Sequence, residues 1–141
     1  MGQLENFWES VKKEETSLLA TSAGGNVTMR TVSPAYYEDA ILIFTSPDSQ
    51  KYQQLKENPN CCIAIGGCFM EATAQFLGCT MLDENATCRD VYSVKYTGAF
   101  DESENEAFGG RDADFILLKP INVKGWGFEN GEPTGPFEHV F

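Results

Sequence analysis

Apolar residues recur at helical spacing near the start of the chain. Leu4, Phe7, Trp8 and Val11 are separated by Glu, Asn and Ser and followed by Lys12 and Lys13, which predicts a short amphipathic helix over residues 4–14. The period then drops to two. Residues 16–22 read as a strand, Gly24-Gly25-Asn26 supplies the positive-φ residues of a hairpin turn, and the β-branched residues 27–33 read as the returning strand. Pro34 ends that strand or lies at its edge, and Glu38-Asp39 makes another turn. Residues 40–45 are apolar on both faces, and the three strands together predict an antiparallel meander.

A second helix is predicted between Ser46 and Pro59. Ser46 or Ser49 can cap it, Pro47 is tolerated in a first turn, and Pro59 stops it. Residues 61–65 form a fourth strand closed by Gly66-Gly67, and residues 69–81 hold a fifth, with Gly78 at a bulge or close approach. Residues 85–96 are predicted helical, with Val91, Tyr92 and Tyr96 as the buried stripe. Residues 101–114, acidic and glycine-containing, read as a loop with one helical turn. Residues 114–119 and 121–128 read as two strands bent apart by Pro120, and the Gly/Pro-rich tail reads as extended. Seven strand-like segments with peripheral helices suggest a closed β-barrel occupying one domain, residues 1–141, because closure removes exposed edges.

Charge narrows the partners. Asp and Glu number 21 against 10 Lys and Arg, a net charge of −11. Nucleic acid and anionic lipid are bound largely by cations that neutralise phosphates, so neither is expected as a partner. No apolar run approaches the span of a bilayer, and the N-terminus lacks a basic region followed by an apolar core, so a cytoplasmic protein is expected. The five cysteines show no Cys-x-x-Cys spacing, and the one histidine, His139, lies in the tail, so no metal site is expected. Adjacent Cys61 and Cys62 sit on a strand and point to opposite faces.

Catalytic templates are missing: there is no Gly-x-Ser-x-Gly elbow, Walker loop or Gly-x-Gly-x-x-Gly, and no catalytic residue is nominated. One constellation stands out against the acidic background. Ser49-Gln50-Lys51 opens the helix that directly follows the strand ending Phe44-Thr45-Ser46. A helix start offers free N–H groups and a positive dipole end. Hydroxyls of Thr45, Ser46 and Ser49, the Lys51 ammonium and the Arg30 guanidinium could complete a phosphate cradle. The plainer alternative is a capped surface helix with one lysine, and an arginine lying over the barrel rim.

The order of these elements resembles the FMN-binding split barrels related to pyridoxamine 5′-phosphate oxidase. The run Phe44-Thr45, Ser49-Gln50-Lys51 and Leu55-Lys56-Glu57-Asn58-Pro59 carries the likeness, which extends more loosely to Leu117-Leu118-Lys119-Pro120 and Trp126. The layout is nearest to the general-stress and nitroimidazole-resistance-like members. The resemblance implies an antiparallel split β-barrel, mainly β with peripheral helices, that binds FMN at the interface of a homodimer. It places Arg30 at the phosphate, backbone of Thr31, Val32 and Ser33 along the isoalloxazine, and Phe44, Thr45 and Ser46 at the ring and ribityl chain. It places Ser49, Gln50 and Lys51 at the phosphate-binding helix start, with Gln50 replacing a common arginine. Trp126 falls either near the flavin or dimer seam or in the core of its strand.

Departures bear on activity. Residues 127–141 contain no arginine, so the oxidase's substrate motif is missing and pyridoxamine phosphate oxidation is not expected. The expected function is a flavin oxidoreductase that uses a nicotinamide donor on a small-molecule substrate. The alternative is a non-catalytic flavin-binding or stress protein. Haem is disfavoured by the lack of an obvious axial histidine.

Overall fold

The computed structural model describes residues 2–101 and 109–141. Helix α1 (Gln3–Lys13) leads into β1 (Ser17–Ala23) and β2 (Asn26–Val32), then β3 (Ala35–Tyr37) and β4 (Ala40–Thr45). Helix α2 (Gln50–Glu57), β5 (Asn60–Ile65), β6 (Cys68–Cys79), α3 (Ala86–Lys95), β7 (Asp114–Glu129) and β8 (Glu132–Val140) follow. The strands form one antiparallel sheet in the order β2-β1-β5-β6-β7-β4-β3, with β8 also paired to β7.

The sheet is a split barrel, and it is not closed as the strand pattern suggested. β2 and β3 are consecutive in the chain yet lie at opposite ends of the strand order. Ser33 and Pro34 separate them, and proline cannot donate to a ladder. The expected meander is overturned for the same reason. After Pro34, β4 turns back on β3 through Glu38-Asp39, both at positive φ, and takes β7 on its other edge instead of β2. The split leaves β2 with one free edge.

Two further expectations change. Residues 114–129 form one long strand rather than two. Pro120 is accommodated because β4 pairs only as far as Leu118 and β8 begins only at Asn122, so no neighbour on that side needs its missing N–H. A register shift against β6 falls at the same place. The tail, expected as extended, is strand β8, an eighth strand and an edge, where Pro133 and Pro136 are tolerated. The expected bulge at Gly78 is present, with φ of 81° and a register shift. In α3 the buried residues are Cys88 and Tyr92, followed by Tyr96 at its end, while Val91 is half-buried. Of the predicted loop, residues 102–108 lie outside the described residues, and Gly110–Asp112 form the helical turn.

Alternation along β4 builds two cores. Ile41 and Ile43 face the barrel interior with Leu19, Ile63, Met70, Ile116 and Leu118, capped by Phe7 and Val11 of α1 and by Tyr52 and Leu55 of α2. Leu42 and Phe44 face outward, where α3 covers them with Cys88, Tyr92 and Tyr96. A strand sandwiched this way must be apolar on both faces.

The end of α3 also secures the β2–β3 crossing. The Tyr92 hydroxyl donates to the Ser33 carbonyl (3.0 Å), and that of Tyr96 donates to those of Pro34 (2.7 Å) and Glu15 (3.1 Å). The Lys95 ammonium donates to the carbonyls of Val11 (2.8 Å), Glu14 (2.5 Å) and Pro34 (2.6 Å). Edge strand β2 is thereby anchored at the end that leads to Arg30.

Candidate functional site

Strict alternation on β1 and β2 puts Leu19 and Val32 on the inner face, together with Thr21, Thr28 and Arg30. Three polar side chains on an inward face break the apolar pattern and call for partners. Arg30 finds them beside it. Its Nη1 donates to Thr21 Oγ1 (2.7 Å) and the Leu19 carbonyl (3.2 Å), and its Nη2 donates to Thr28 Oγ1. Helix α2 closes the group from the other side, because its buried Gln54 accepts hydrogen bonds from both threonine hydroxyls.

One turn earlier on α2, Lys51 comes close enough to Arg30 for their charges to interact. Burial pulls the Lys51 ammonium below its ordinary pKa, and the positive charge of Arg30 pulls it further down. Burial lowers that of Arg30 as well. Among the described residues no carboxylate pairs with either group. Two partly desolvated cations held together without a counter-charge cost stability, and an anion placed between them would relieve that cost.

The start of α2 supplies hydroxyls. Ser49 is the N-cap, its Oγ accepting from the Tyr52 N–H (3.3 Å) and lying 3.0 Å from Thr45 Oγ1. Tyr52 in turn donates its hydroxyl to Asp114 (2.8 Å), which ties the helix to β7. Pro47, expected in the first turn, precedes the helix, and Ser46 accepts from the Asp48 N–H (3.2 Å) and so serves its own turn.

The predicted residues therefore divide. Arg30 and Lys51 are brought together, and Thr45 and Ser49 meet at the helix start. Gln50 is exposed in the first turn. Thr31 is exposed, Val32 is buried in the inner core, and Ser33 offers its carbonyl to Tyr92. Phe44 turns its ring away from Thr45 and packs on Tyr92, Phe100 and Phe115, with centroids 4.9–6.4 Å apart. Trp126 is 58 % exposed, so it is not a core tryptophan, and β1, β5 and β6 lie between its strand and that of Arg30.

Thr21, Thr28 and Gln54 were missed. Their signal lay in parity and register. Thr21 pairs with Thr28 across the hairpin, at positions of the same inward parity as Leu19 and Arg30, and Gln54 stands three residues after Lys51 on the same helix.

No family model matches the chain, and no curated protein matches it in sequence. Solved structures do match. A pyridoxamine 5′-phosphate oxidase-related, FMN-binding protein from Nostoc punctiforme superposes with a TM-score of 0.64 and 13% identity, covering 98% of this chain and 94% of that one. A FAD-binding protein from Mesorhizobium loti gives 0.65 and 18%, over 87% and 92%. A heme-binding protein from Mycobacterium smegmatis gives 0.70 and 15%, over 97% of this chain and 56% of that one. The general stress protein 26 of Bacillus anthracis and a 5-nitroimidazole antibiotic resistance protein of Bacteroides thetaiotaomicron share the same architecture. At these identities the likeness establishes the fold alone: this chain has the split β-barrel fold of those structures.

Proposed function

We propose that this protein binds FMN with its phosphate between Arg30 and Lys51, and that it works as a homodimeric, cytoplasmic oxidoreductase. It would take electrons from a reduced nicotinamide and pass them to a small molecule. One observation carries the reading: in a chain of net charge −11, Arg30 and Lys51 lie close enough for their charges to interact, and among the described residues neither pairs with a carboxylate. In this reading the two remaining Arg30 donors and the Lys51 ammonium would meet the phosphate oxygens, with the hydroxyls of Thr45 and Ser49 at the helix start as further donors.

The bound isoalloxazine would supply the hydride and electron transfer. The protein's part is to bind and orient. Edge strand β2 has a row of unpaired backbone groups along Thr31, which the ring would meet. Phe44 shapes the strand end from behind by packing, not by touching the ring. Haem is a poorer fit, since the one histidine, His139, is exposed on edge strand β8. The five free thiols support a reducing compartment.

The test is reconstitution. Purified protein incubated with FMN and desalted should carry flavin absorbance, and Lys51→Ala should lose most of it while keeping its circular dichroism. A colourless protein that leaves FMN fluorescence unquenched overturns the reading. Steady-state NADH or NADPH oxidation by the holoprotein supports the oxidoreductase. Bound FMN without turnover on several acceptors overturns that part and favours the non-catalytic alternative.

A further inference from the structure

Gln54 is an amide on an otherwise amphipathic helix, only 8 % exposed, and flavin binding as described leaves it without a task. Its Oε1 accepts from Thr21 Oγ1 at 2.5 Å and Thr28 Oγ1 at 2.6 Å. An amide oxygen carries two lone pairs and no proton, so both hydroxyl protons must point at Gln54. Each threonine oxygen is then left with lone pairs, and Arg30 fills one on each, through Nη1 at 2.7 Å and through Nη2. The reverse amide orientation fails, because Nε2 and the guanidinium would both donate to the same oxygens and leave the hydroxyl protons without acceptors.

Direction is therefore set at every link, from guanidinium to hydroxyl to amide oxygen. Of the five guanidinium N–H groups, three go to Thr21, Thr28 and the Leu19 carbonyl. Among the described residues nothing takes the Nε–H and one Nη2–H. Bonds from two threonines on two strands, both referred to one helical amide, hold the guanidinium plane. Bidentate capture of an anion depends on that plane.

We infer that Gln54 is a positioning residue: acting through Thr21 and Thr28, it holds the Arg30 guanidinium so that its free N–H groups meet the flavin phosphate. It thereby makes the protein select phosphorylated over unphosphorylated flavin. This rests on the flavin reading above and adds selectivity to it. A carboxylate at the same position would keep the acceptors but place a negative charge two bonds from Arg30, in competition with the phosphate. The choice of amide over acid is thus part of the device.

The experiment compares FMN and riboflavin affinities by flavin fluorescence for the wild type and four variants. The wild type should prefer FMN. Gln54→Leu should cut that preference about tenfold, the effect of losing one hydrogen bond to a charged group, with riboflavin affinity unchanged. Gln54→Glu should cut it further. Thr21→Val, close in shape but without the hydroxyl, should act like Gln54→Leu, and Thr21→Ser should restore the preference. If Gln54→Leu does not fold, the Thr21 pair decides. Variants with native near-ultraviolet circular dichroism and an undiminished preference overturn the inference while the flavin reading stands. A wild type that binds both flavins equally overturns the inference and the phosphate placement together. A wild type that binds neither overturns the flavin reading.

Discussion

Lys51 pays for its position, with burial and the neighbouring Arg30 both opposing its charge. Removing that charge should relieve the repulsion and weaken FMN binding at once. Lys51→Met should raise the urea-unfolding free energy of the ligand-free protein by about 0.5 kcal/mol, a like-charge contribution already discounted for the exposed half of the side chain. Saturating FMN should then stabilise the wild type more than the variant. A Lys51→Met protein less stable than the wild type without ligand would show that the ammonium has a structural partner. The thiols give a second test at this scale. Burial pushes Cys61 up to about 12, with neighbouring Cys62 adding to the shift, and it also raises Cys68 and Cys88. A thiolate is the reactive form, so a disulfide reagent near neutral pH should leave Cys61 untouched in the native protein and reach all five cysteines after unfolding.

Among the elements, α3 reaches furthest through its polar end. Lys95 ties α1 and the Ser33–Pro34 crossing together, and burial lowers its pKa to about 8 against the upward pull of Glu14 and Glu15. The ordinary value is 10.5, so from about pH 8 upward the unfolded chain holds a proton that the folded one has released. The Lys95 contribution therefore rises with pH in that window and is flat below it, where both states are charged. Thiols and tyrosines with raised pKa, Cys62 and Tyr92 among them, act in the opposite sense above about pH 9, because the unfolded chain loses those protons first. The difference between wild type and Lys95→Met isolates the amine: their gap in unfolding free energy should shift in favour of the wild type between about pH 7 and pH 9.5. A gap that does not move with pH contradicts the assignment. Elements like these were legible where one period ruled, as in α1, the β1–β2 hairpin and the Ser49 cap. They were not legible where pairing across the sheet decided. Nothing local says that β4 prefers β7 to β2, or that Pro120 can sit inside a strand at the one place where a neighbour is missing. The site divided the same way: Arg30 and Lys51 stood out by charge, whereas Thr21 and Gln54 acquire meaning only once β1 and α2 are in contact.

At the scale of the whole molecule, the outer face of β2-β1-β5-β6-β7 is a feature without a partner among the described residues. Leu18, Val27, Met29, Phe69, Ile121 and Trp126 are exposed on these strands, around smaller Ala20, Cys62 and Ala64. A cavity of about 500 Å³ opens there between Val27, Asn60, Cys62, Glu71 and Ile121. The chain exposes 8013 Å², so an ordinary interface of about 800 Å² per partner would need only a tenth of it. Charge bears on whether two copies can meet. Each carries −11, yet the central charges of this face cancel, because Lys124 pairs with Glu71 at 3.2 Å. Contact through the sheet would bury apolar groups around this balanced ion pair. Sedimentation should give twice 15.6 kDa, and salt should tighten the dimer, since screening weakens the repulsion between two acidic bodies while the apolar contact remains. Phe69→Lys, which sets a second cation opposite Lys124 across the β6–β7 ladder, should yield a folded monomer. If the flavin lies at the subunit seam, that monomer should lose FMN in step with the dimer. Retention of FMN by the monomer would place the whole cofactor site within one chain, and a wild type that sediments at 15.6 kDa would remove the homodimer altogether.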